Sequence, residues 1–297
     1  MPAASPQVTP PSVLIVGAGR LGTVLGAALQ HAGWPVTIVA RGDASAARAA
    51  ARELQVIRSV DAARDAALVL LCVPDDAVRA AAAAVAASPR ALAPGGIALH
   101  TSGAAPVTTL ACLEARAGGT GSLHPLQVVT GASESDVLRG APAAISGNPE
   151  ALRMAARVAE AVGLVPFALT DDAKPLYHAA SSMAANFTVG LLDAAIRVAT
   201  ASGMSGTEAR RACVALARAA VDRVEELGTE AALTGPIVRG DAGTVRAHLA
   251  ALHQQLPELV PLYVHDARQT LALAQRAGLD PVAAGRIASA LDPQDNR

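Results

Sequence analysis

At 297 residues the chain can form one large domain or two of ordinary size, each with a sizeable core. Although 52% of it is apolar, the excess is alanine and the longest clean apolar run, residues 66–74, falls far short of the ~20 residues a membrane helix needs, so no membrane partner is expected. A formal net charge of −1 without a basic run argues against nucleic acid, and Cys72, Cys112 and Cys213 share no metal-ligand spacing, which suits buried small side chains in a reducing cytoplasm and no metal.

The N-terminal stretch MPAASPQVTPP has neither a basic region nor a hydrophobic core, and residues 1–11 are expected to be a flexible tail rather than a signal peptide. Residues 12–16 (SVLIV) are too apolar for a half-exposed strand and predict a buried parallel one. They run straight into Gly17-Ala18-Gly19-Arg20-Leu21-Gly22 and then a helical pattern closed by Gly33. Strand, G-x-G-x-x-G and helix is the context of a dinucleotide-binding turn. Its first glycine makes the turn, its second lets the backbone approach a pyrophosphate, and its third lets helix and strand pack closely. The helix N-terminus adds free N–H groups and partial positive charge.

The second predicted strand, residues 35–40, ends in Ala40 and Arg41, where an NAD-preferring site would carry an acidic residue. Arg41, with Ser45 and Arg48 close behind, suits a ribose phosphate instead, because a guanidinium forms paired charged hydrogen bonds with it. The cofactor expected is therefore NADP rather than NAD, although a plain solvated arginine is the alternative. Residues 66–73 read as another buried strand whose end places Val73 and Pro74 beside the nicotinamide ribose. Residues 76–87 form a crossover helix, 97–100 the next strand, and a further helix leads to Gly121-Ser122-Leu123-His124-Pro125-Leu126. Ser102 stands either as a cofactor ligand or as the cap of the helix after it, and His124 either as a substrate ligand or as a structural histidine fixing a loop. Residues 143–146, 149–162 and 164–169 complete a mostly parallel, doubly wound α/β sheet.

From residue 172 onward no strand is expected. Helices are predicted over 172–202, 205–227, 242–255, 258–277 and 281–291, with Gly203, Gly228, Gly240 and Gly278 at their boundaries. The expected division is thus a tail at 1–11, a nucleotide-binding domain at 12–170 and an all-helical domain for substrate and dimerisation at 171–297. Lys174 is the only lysine of the chain and falls where strands give way to helices. It lies in the first turn of a helix with Asp172 as its expected cap, and Lys174, His178, Ser181 and Ala185 form one stripe with Asn186 to its side. The rest of that helix is apolar nearly all round and is expected to be buried. Lysine can release a proton near neutral pH where arginine cannot, which favours Lys174 as an acid, although a surface lysine at a domain junction is the alternative. The loop LTGPIVRGDAGT at 233–244 either cradles an anionic group with Thr234 and Arg239 or is a plain connection capped by Asp241.

Four motifs together, GAGRLG, SLHPLQ, K-x-x-Y-H-A-A followed by A-N-F, and L-T-G-P-I-x-R-G-D, resemble the Rossmann-like oxidoreductases whose C-terminal half is a domain of unknown function. The resemblance covers residues 12 to about 291. More distantly the chain is similar to 6-phosphogluconate and β-hydroxyacid dehydrogenases, prephenate dehydrogenase, ketopantoate reductase and pyrroline-5-carboxylate reductase. It implies a Rossmann domain followed by an all-α domain, a homodimer through the helical domain, and hydride transfer between nicotinamide and a small carbonyl/hydroxyl or imine/amine substrate.

The hydroxyacid and ketopantoate enzymes imply Lys174 as acid/base, but they carry asparagine where this chain has His178, so their substrates do not carry over. Prephenate dehydrogenase implies His124 as a substrate contact, and pyrroline-5-carboxylate reductase implies a substrate role for the loop from Thr234 to Thr244. Two alternatives remain: a non-catalytic nucleotide sensor, which needs no acid in the cleft, and a deazaflavin-linked reductase sharing the first domain.

Overall fold

The computed structural model describes residues 10–292, so residues 1–9 of the expected tail lie outside it. The chain forms two compact units, the first ending at Met183 and the second beginning at Ala184.

In the first unit, β1 (Val13–Val16), α1 (Arg20–His31), β2 (Val36–Val39), α2 (Asp43–Ala50), β3 (Gln55–Ile57), β4 (Ala66–Leu71), α3 (Val78–Ala87) and β5 (Leu92–His100) follow one another. Then come β6 (Gly119–Pro125), β7 (Pro142–Gly147), α4 (Pro149–Ala161), β8 (Val165–Ala168) and α5 (Lys174–Ser182). The strands make one sheet in the order β3-β2-β1-β4-β5-β6-β7-β8, parallel throughout except between β6 and β7. Strand order reverses between β1 and β4, and in an open α/β sheet it is outside the carboxyl ends of the strands at such a reversal that ligands bind. The central strands read as unbroken apolar runs because both faces are covered. Ile15, Leu68, Leu70 and Leu99 pack with α1 and α4 on one side, while Leu14, Val69, Leu71 and Ala98 pack with α3 on the other.

Three local features depart from the sequence reading. β3 was not foreseen: three residues with Gln55 exposed carry no strand signal, and they become a strand by pairing with β2. The helix expected between β5 and β6 is a 3₁₀ segment, Val107–Leu113. Its Leu110 and Leu113 are both fully buried, and a 3₁₀ turn stacks residues three apart, which suits that pair. The helix expected over 172–202 begins with a 3₁₀ turn, Asp171–Ala173. It then runs as α5, a π-helical stretch Met183–Phe187, and α6 (Thr188–Ala201) in the second unit. The residue before α5 is Ala173 with no side-chain cap, so Asp172 is not the cap, and Asp171 has other work.

The second unit is helical throughout its described residues. α6 is followed by α7 (Gly206–Ala232), α8 (Ala242–Gln255), α9 (Val260–Arg276) and α10 (Pro281–Ala290). Ser205 and Glu208 close a capping box on α7, which is kinked at Gly228 (φ 77°, ψ 169°), and Asp280 caps α10. Val245, Leu249, Leu271, Ala274 and Ile287 form the core of α8, α9 and α10.

The expected burial of the helix beyond Lys174 is overturned. Leu176 is 80% exposed, Met183, Phe187 and Val189 between 63% and 69%, and only Lys174 and Ala194 are buried in α5 and α6. An apolar surface all round identifies a helix that needs covering, not what covers it. Residues Asp171–Ala201 form one helical stretch of 31 residues with a hydropathy of 1.2, long and apolar enough to cross a membrane by length and composition alone. Uninterrupted apolar runs do not reveal this, because alanines and isolated polar residues are spread along it.

Candidate active site

The glycine turn between β1 and α1 has the geometry that its sequence requires. Gly17 sits at φ +113°, and a Cβ there would collide with the carbonyl oxygen of Cys72. A Cβ at Gly22 would collide with the carbonyl oxygen of Gly17, so α1 lies directly on the turn. Around Gly19, by contrast, nothing lies within 4 Å of where a Cβ would stand. Gly19 is also the N-cap of α1 and brings no side-chain cap, leaving the first N–H groups of the helix for an anion. Ala18 is buried, Leu21 half-buried and Arg20 exposed beside this opening. The open space at Gly19 and the uncapped helix start suit a pyrophosphate, which backbone N–H groups from Ala18 to Gly22 would hold.

At the end of β2, Arg41 is exposed and, among the described residues, its guanidinium has no hydrogen bond or ion pair. Arg58, just past β3, donates to the carbonyls of Ala40 (3.5 Å) and Arg41 (3.4 Å) and pairs with Asp43 (3.0 Å). The nearby carboxylate of Asp43 is thereby engaged by a cation. Ser45 donates its hydroxyl proton to the carbonyl of Gly42 at 2.7 Å, and Arg48 reaches the carbonyl of Ala18 at 3.4 Å, bringing a second guanidinium to the glycine turn. Val73 is half-buried and Pro74 exposed, just after β4.

The carboxyl ends of β5 and β6 and the first turn of α5 hold the second group of polar residues, all within the first unit. Lys174 is only 2% exposed, which removes the surface-lysine alternative. Its Nζ donates to the carbonyl of Ala105 at 3.0 Å and lies 2.8 Å from Asp171 Oδ1, a strong ion pair at an angle outside hydrogen-bond geometry. Asp171 Oδ2 accepts from the Val107 N–H at 2.7 Å, so the pair fastens both ends of residues 105–107. Burial lowers the Lys174 pKa below its ordinary value, with Asp171 opposing that shift.

His124 Nδ1 lies 2.7 Å from the hydroxyl of Tyr177, one turn along α5 from Lys174. The imidazole rests on Gly103: a Cβ there would stand 2.7 Å from its Cε1 and 2.9 Å from either nitrogen. His178 is half-buried with its ring 6.3 Å from that of His124, and Phe167 flanks Tyr177 at 6.1 Å. Burial, then His178, push His124 down to about 4, Lys174 adding to the shift and Asp75 opposing it, so the ring is neutral near pH 7. Burial pushes the Tyr177 phenol up to about 12.

His100, at the end of β5, is fully buried with neither ring nitrogen hydrogen-bonded. Burial and then Lys174 hold it down to about 4. Asp171, the Pro106 carbonyl and Asp75 favour its charged form, the carbonyl without reaching hydrogen-bond geometry.

Of the residues expected to carry chemistry, the first unit gathers Lys174, His178 and His124. Ser102 is 4% exposed and its hydroxyl accepts from Ala104 and Ala105, closing the turn after β5 rather than capping a helix. Ser181 donates to the carbonyl of Tyr177 at 2.9 Å, so its proton is used within α5. Asn186, Thr234 and Arg239 are exposed and belong to the second unit. There Asp241 caps α8 by accepting from the Thr244 N–H (3.0 Å) and hydroxyl (2.6 Å).

Tyr177, His100 and Asp171 were missed as site residues. Tyr177 read as part of an apolar face and His100 as the last residue of a strand. The signal that could have found them is position: His100 ends a strand on the ligand-binding edge, and Tyr177 is three residues from Lys174 on the same helix. Among the described residues no three His, Cys, Asp or Glu side chains come together as a metal site.

Two families match the chain in tandem: a Rossmann-like domain over residues 2–125 and the domain of unknown function DUF2520 over residues 141–270. No curated protein matches it significantly. Among solved structures it is similar to a provisional NADP oxidoreductase from Bacteroides fragilis, with 20% identity, 91% of this chain and 98% of that one covered, and a TM-score of 0.71. It is similar to protein TM1727 from Thermotoga maritima (20% identity, 89% and 98%, TM-score 0.69). It is also similar to the pyrroline carboxylate reductase of Plasmodium falciparum, solved with NADP bound (10% identity, 95% and 99%, TM-score 0.59). At these identities the likeness is one of fold.

Proposed function

We propose that this protein is an NADP-dependent oxidoreductase that transfers hydride between nicotinamide and a small carbonyl/hydroxyl or imine/amine substrate. One observation carries the reading. A single unit holds both an open, uncapped glycine turn for a pyrophosphate and a set of proton-bearing side chains, buried Lys174 with half-buried His124, His178 and Tyr177, at the carboxyl edge of the same sheet. The solved structures of similar fold are consistent with it, since one is described as an NADP oxidoreductase and another as a reductase with NADP bound. A bound nicotinamide would supply the hydride. The chain's own residues would hold the pyrophosphate at Ala18 to Gly22, the ribose phosphate at Arg41 and Ser45, and the nicotinamide end near Val73, Pro74 and Ser102. The group of Lys174, His178 and His124 would serve the proton at the substrate heteroatom, one as donor and the others as ligands or positioning residues, a contribution of typically ~10²–10⁴ in rate. A substrate contact from Ser181, on the same helix, belongs to the same reading.

The exposed apolar residues of α5, α6 and α7 are accounted for by a homodimer through the helical domain. α7 carries Leu216, Val221, Val224 and Leu227 on its surface but intersperses them with Arg218, Asp222, Arg223, Glu225 and Glu226. Such a mixture suits a protein interface better than lipid. A cytoplasmic location fits three cysteines that are all free thiols.

Fluorescence titration with NADPH and NADH, followed by stopped-flow oxidation of NADPH against ketones, 2-oxo acids and cyclic imines, tests the reading. Tighter binding of NADPH and its oxidation by one of these classes is the expected result. Binding without oxidation by any of them would leave a nucleotide sensor.

A further inference from the structure

Lys174 is the residue that sequence reasoning puts at the centre of the chemistry, yet its ammonium is committed. It is ion-paired to Asp171, bonded to the Ala105 carbonyl and almost wholly shielded from solvent. His124 is placed differently. Its Nδ1 is taken by Tyr177, its ring is seated on the Gly103 backbone, and among the described residues Nε2 makes no hydrogen bond. The Tyr177 hydroxyl, for its part, meets that ring nitrogen at 2.7 Å, with the Ser181 side chain also near it. A phenol is the stronger donor of the two groups and a neutral imidazole nitrogen the stronger acceptor, so the 2.7 Å contact is an O–H donated to Nδ1. The remaining proton of the neutral ring is then fixed on Nε2, the one polar atom of the pair left for a ligand.

We propose that His124 is the proton donor to the substrate heteroatom, that Tyr177 positions it and restores its proton, and that Lys174 is a positioning residue one step further back. This rests on the reductase reading above and names the acid within it. As hydride reaches the substrate carbon, the electron pair of the C=O or C=N bond moves to the heteroatom, which takes the Nε2 proton. Nδ1 takes the Tyr177 proton, so the ring stays neutral; after product leaves, water protonates Nε2 and Nδ1 returns its proton to the phenolate, which restores the starting tautomer. NADPH is oxidised, the substrate reduced, and the net proton comes from solvent. Lys174 and Asp171 contribute by holding residues 105–107, which continue from Gly103, the backbone seat of His124.

The test is Tyr177→Phe, which keeps ring shape and packing and removes the hydroxyl alone. With 2-methyl-1-pyrroline and cyclohexanone as probes, turnover should fall about 10²-fold, within the span of a lost proton donor. The NADPH dissociation constant should stay within about twofold, since no phosphate or ribose contact is touched. In H₂O/D₂O mixtures the wild-type proton inventory should be curved, as two protons in flight require, and that of Tyr177→Phe linear. ¹⁵N resonances of His124 should show one Nε2–H tautomer in the wild type and a mixture in the variant, a change that a purely structural role does not produce. The double variant Lys174→Met/Asp171→Asn, which removes the buried pair together, should keep the curved inventory whatever its rate.

If Tyr177→Phe turns over normally with an unchanged inventory, the His124–Tyr177 assignment is overturned and the reductase reading survives. If wild-type protein binds NADPH but reduces neither probe nor any other carbonyl or imine, both fall together.

Discussion

Two regions of this molecule carry leucines of the same kind and treat them oppositely. In the sheet, Leu68, Leu70 and Leu71 are 0% exposed, whereas Leu176 on α5 is 80% and Leu216 on α7 is 74% exposed. The strands are covered on both faces by helices of their own unit, so their apolar surface is removed from water within one chain. The helices from α5 to α7 have no such cover of their own, and α7 buries only Ala209 among its 27 residues. The difference separates residues that hold the chain together from residues that wait for something else to cover them. The first kind answers to stability measurements, the second to association.

The sharpest way to test that division is to make the same truncation in both places. Leu70→Ala should cost about 2–5 kcal/mol in urea unfolding, because it empties a site with no exposure. Lys174→Met comes next, at about 2–4 kcal/mol, because it strands the Asp171 carboxylate. The figure is set below that of a fully buried pair since Asp171 keeps 30% of its side chain exposed. The double change Lys174→Met/Asp171→Asn should recover most of that loss, and a thermal melt that shows no recovery would remove the ion pair from the account.

A smaller effect should appear with pH. His100 and His124 have pKa values of about 4 in the fold, below their ordinary value of 6.5. The unfolded chain therefore binds more protons between those limits. Their contribution is fully present above pH ~6.5 and is lost as pH falls toward ~4, by about 1–3 kcal/mol for each ring. Replacing His100 with Gln should flatten the slope of stability against pH in that window.

Arg41→Ala should weaken NADPH binding about tenfold, or ~1.4 kcal/mol, and leave NADH unchanged. Equal losses for both nucleotides would mean that Arg41 contacts something other than the ribose phosphate. Smallest of all, Leu216→Ala should stay within about 0.5 kcal/mol of wild type in the unfolding of the chain. Its effect should be seen instead in the light-scattering mass against concentration. A cost like that of Leu70→Ala would dissolve the contrast between the two regions.

Much of the first unit could be read in advance because its signals are local. A buried parallel strand is a short apolar run, and the glycine turn is a spacing with a steric reason at each position, which Gly17, Gly19 and Gly22 each display. β3 was not legible, since a three-residue edge strand exists only through its neighbour. The helix from 172 to 202 was legible as a helix but not as buried or exposed, because periodicity identifies a face and is silent about its partner.

The candidate site divides along the same line. Composition and position alone single out Lys174 as a lone lysine at the change from strands to helices, and His124 as an imidazole at a strand end. Neither could reveal that the ammonium is closed off by Asp171 and Ala105, nor that Tyr177 reaches His124 across 53 residues of sequence.

By itself, then, the sequence determined most of the order of strands and helices and the steric form of the glycine turn, both set by neighbours along the chain. Only the tertiary structure decided which polar side chains face one another, which of them are desolvated and which apolar helix faces stay open. Those depend on contacts between residues tens of positions apart, and burial and pKa follow from the contacts rather than from the residue types.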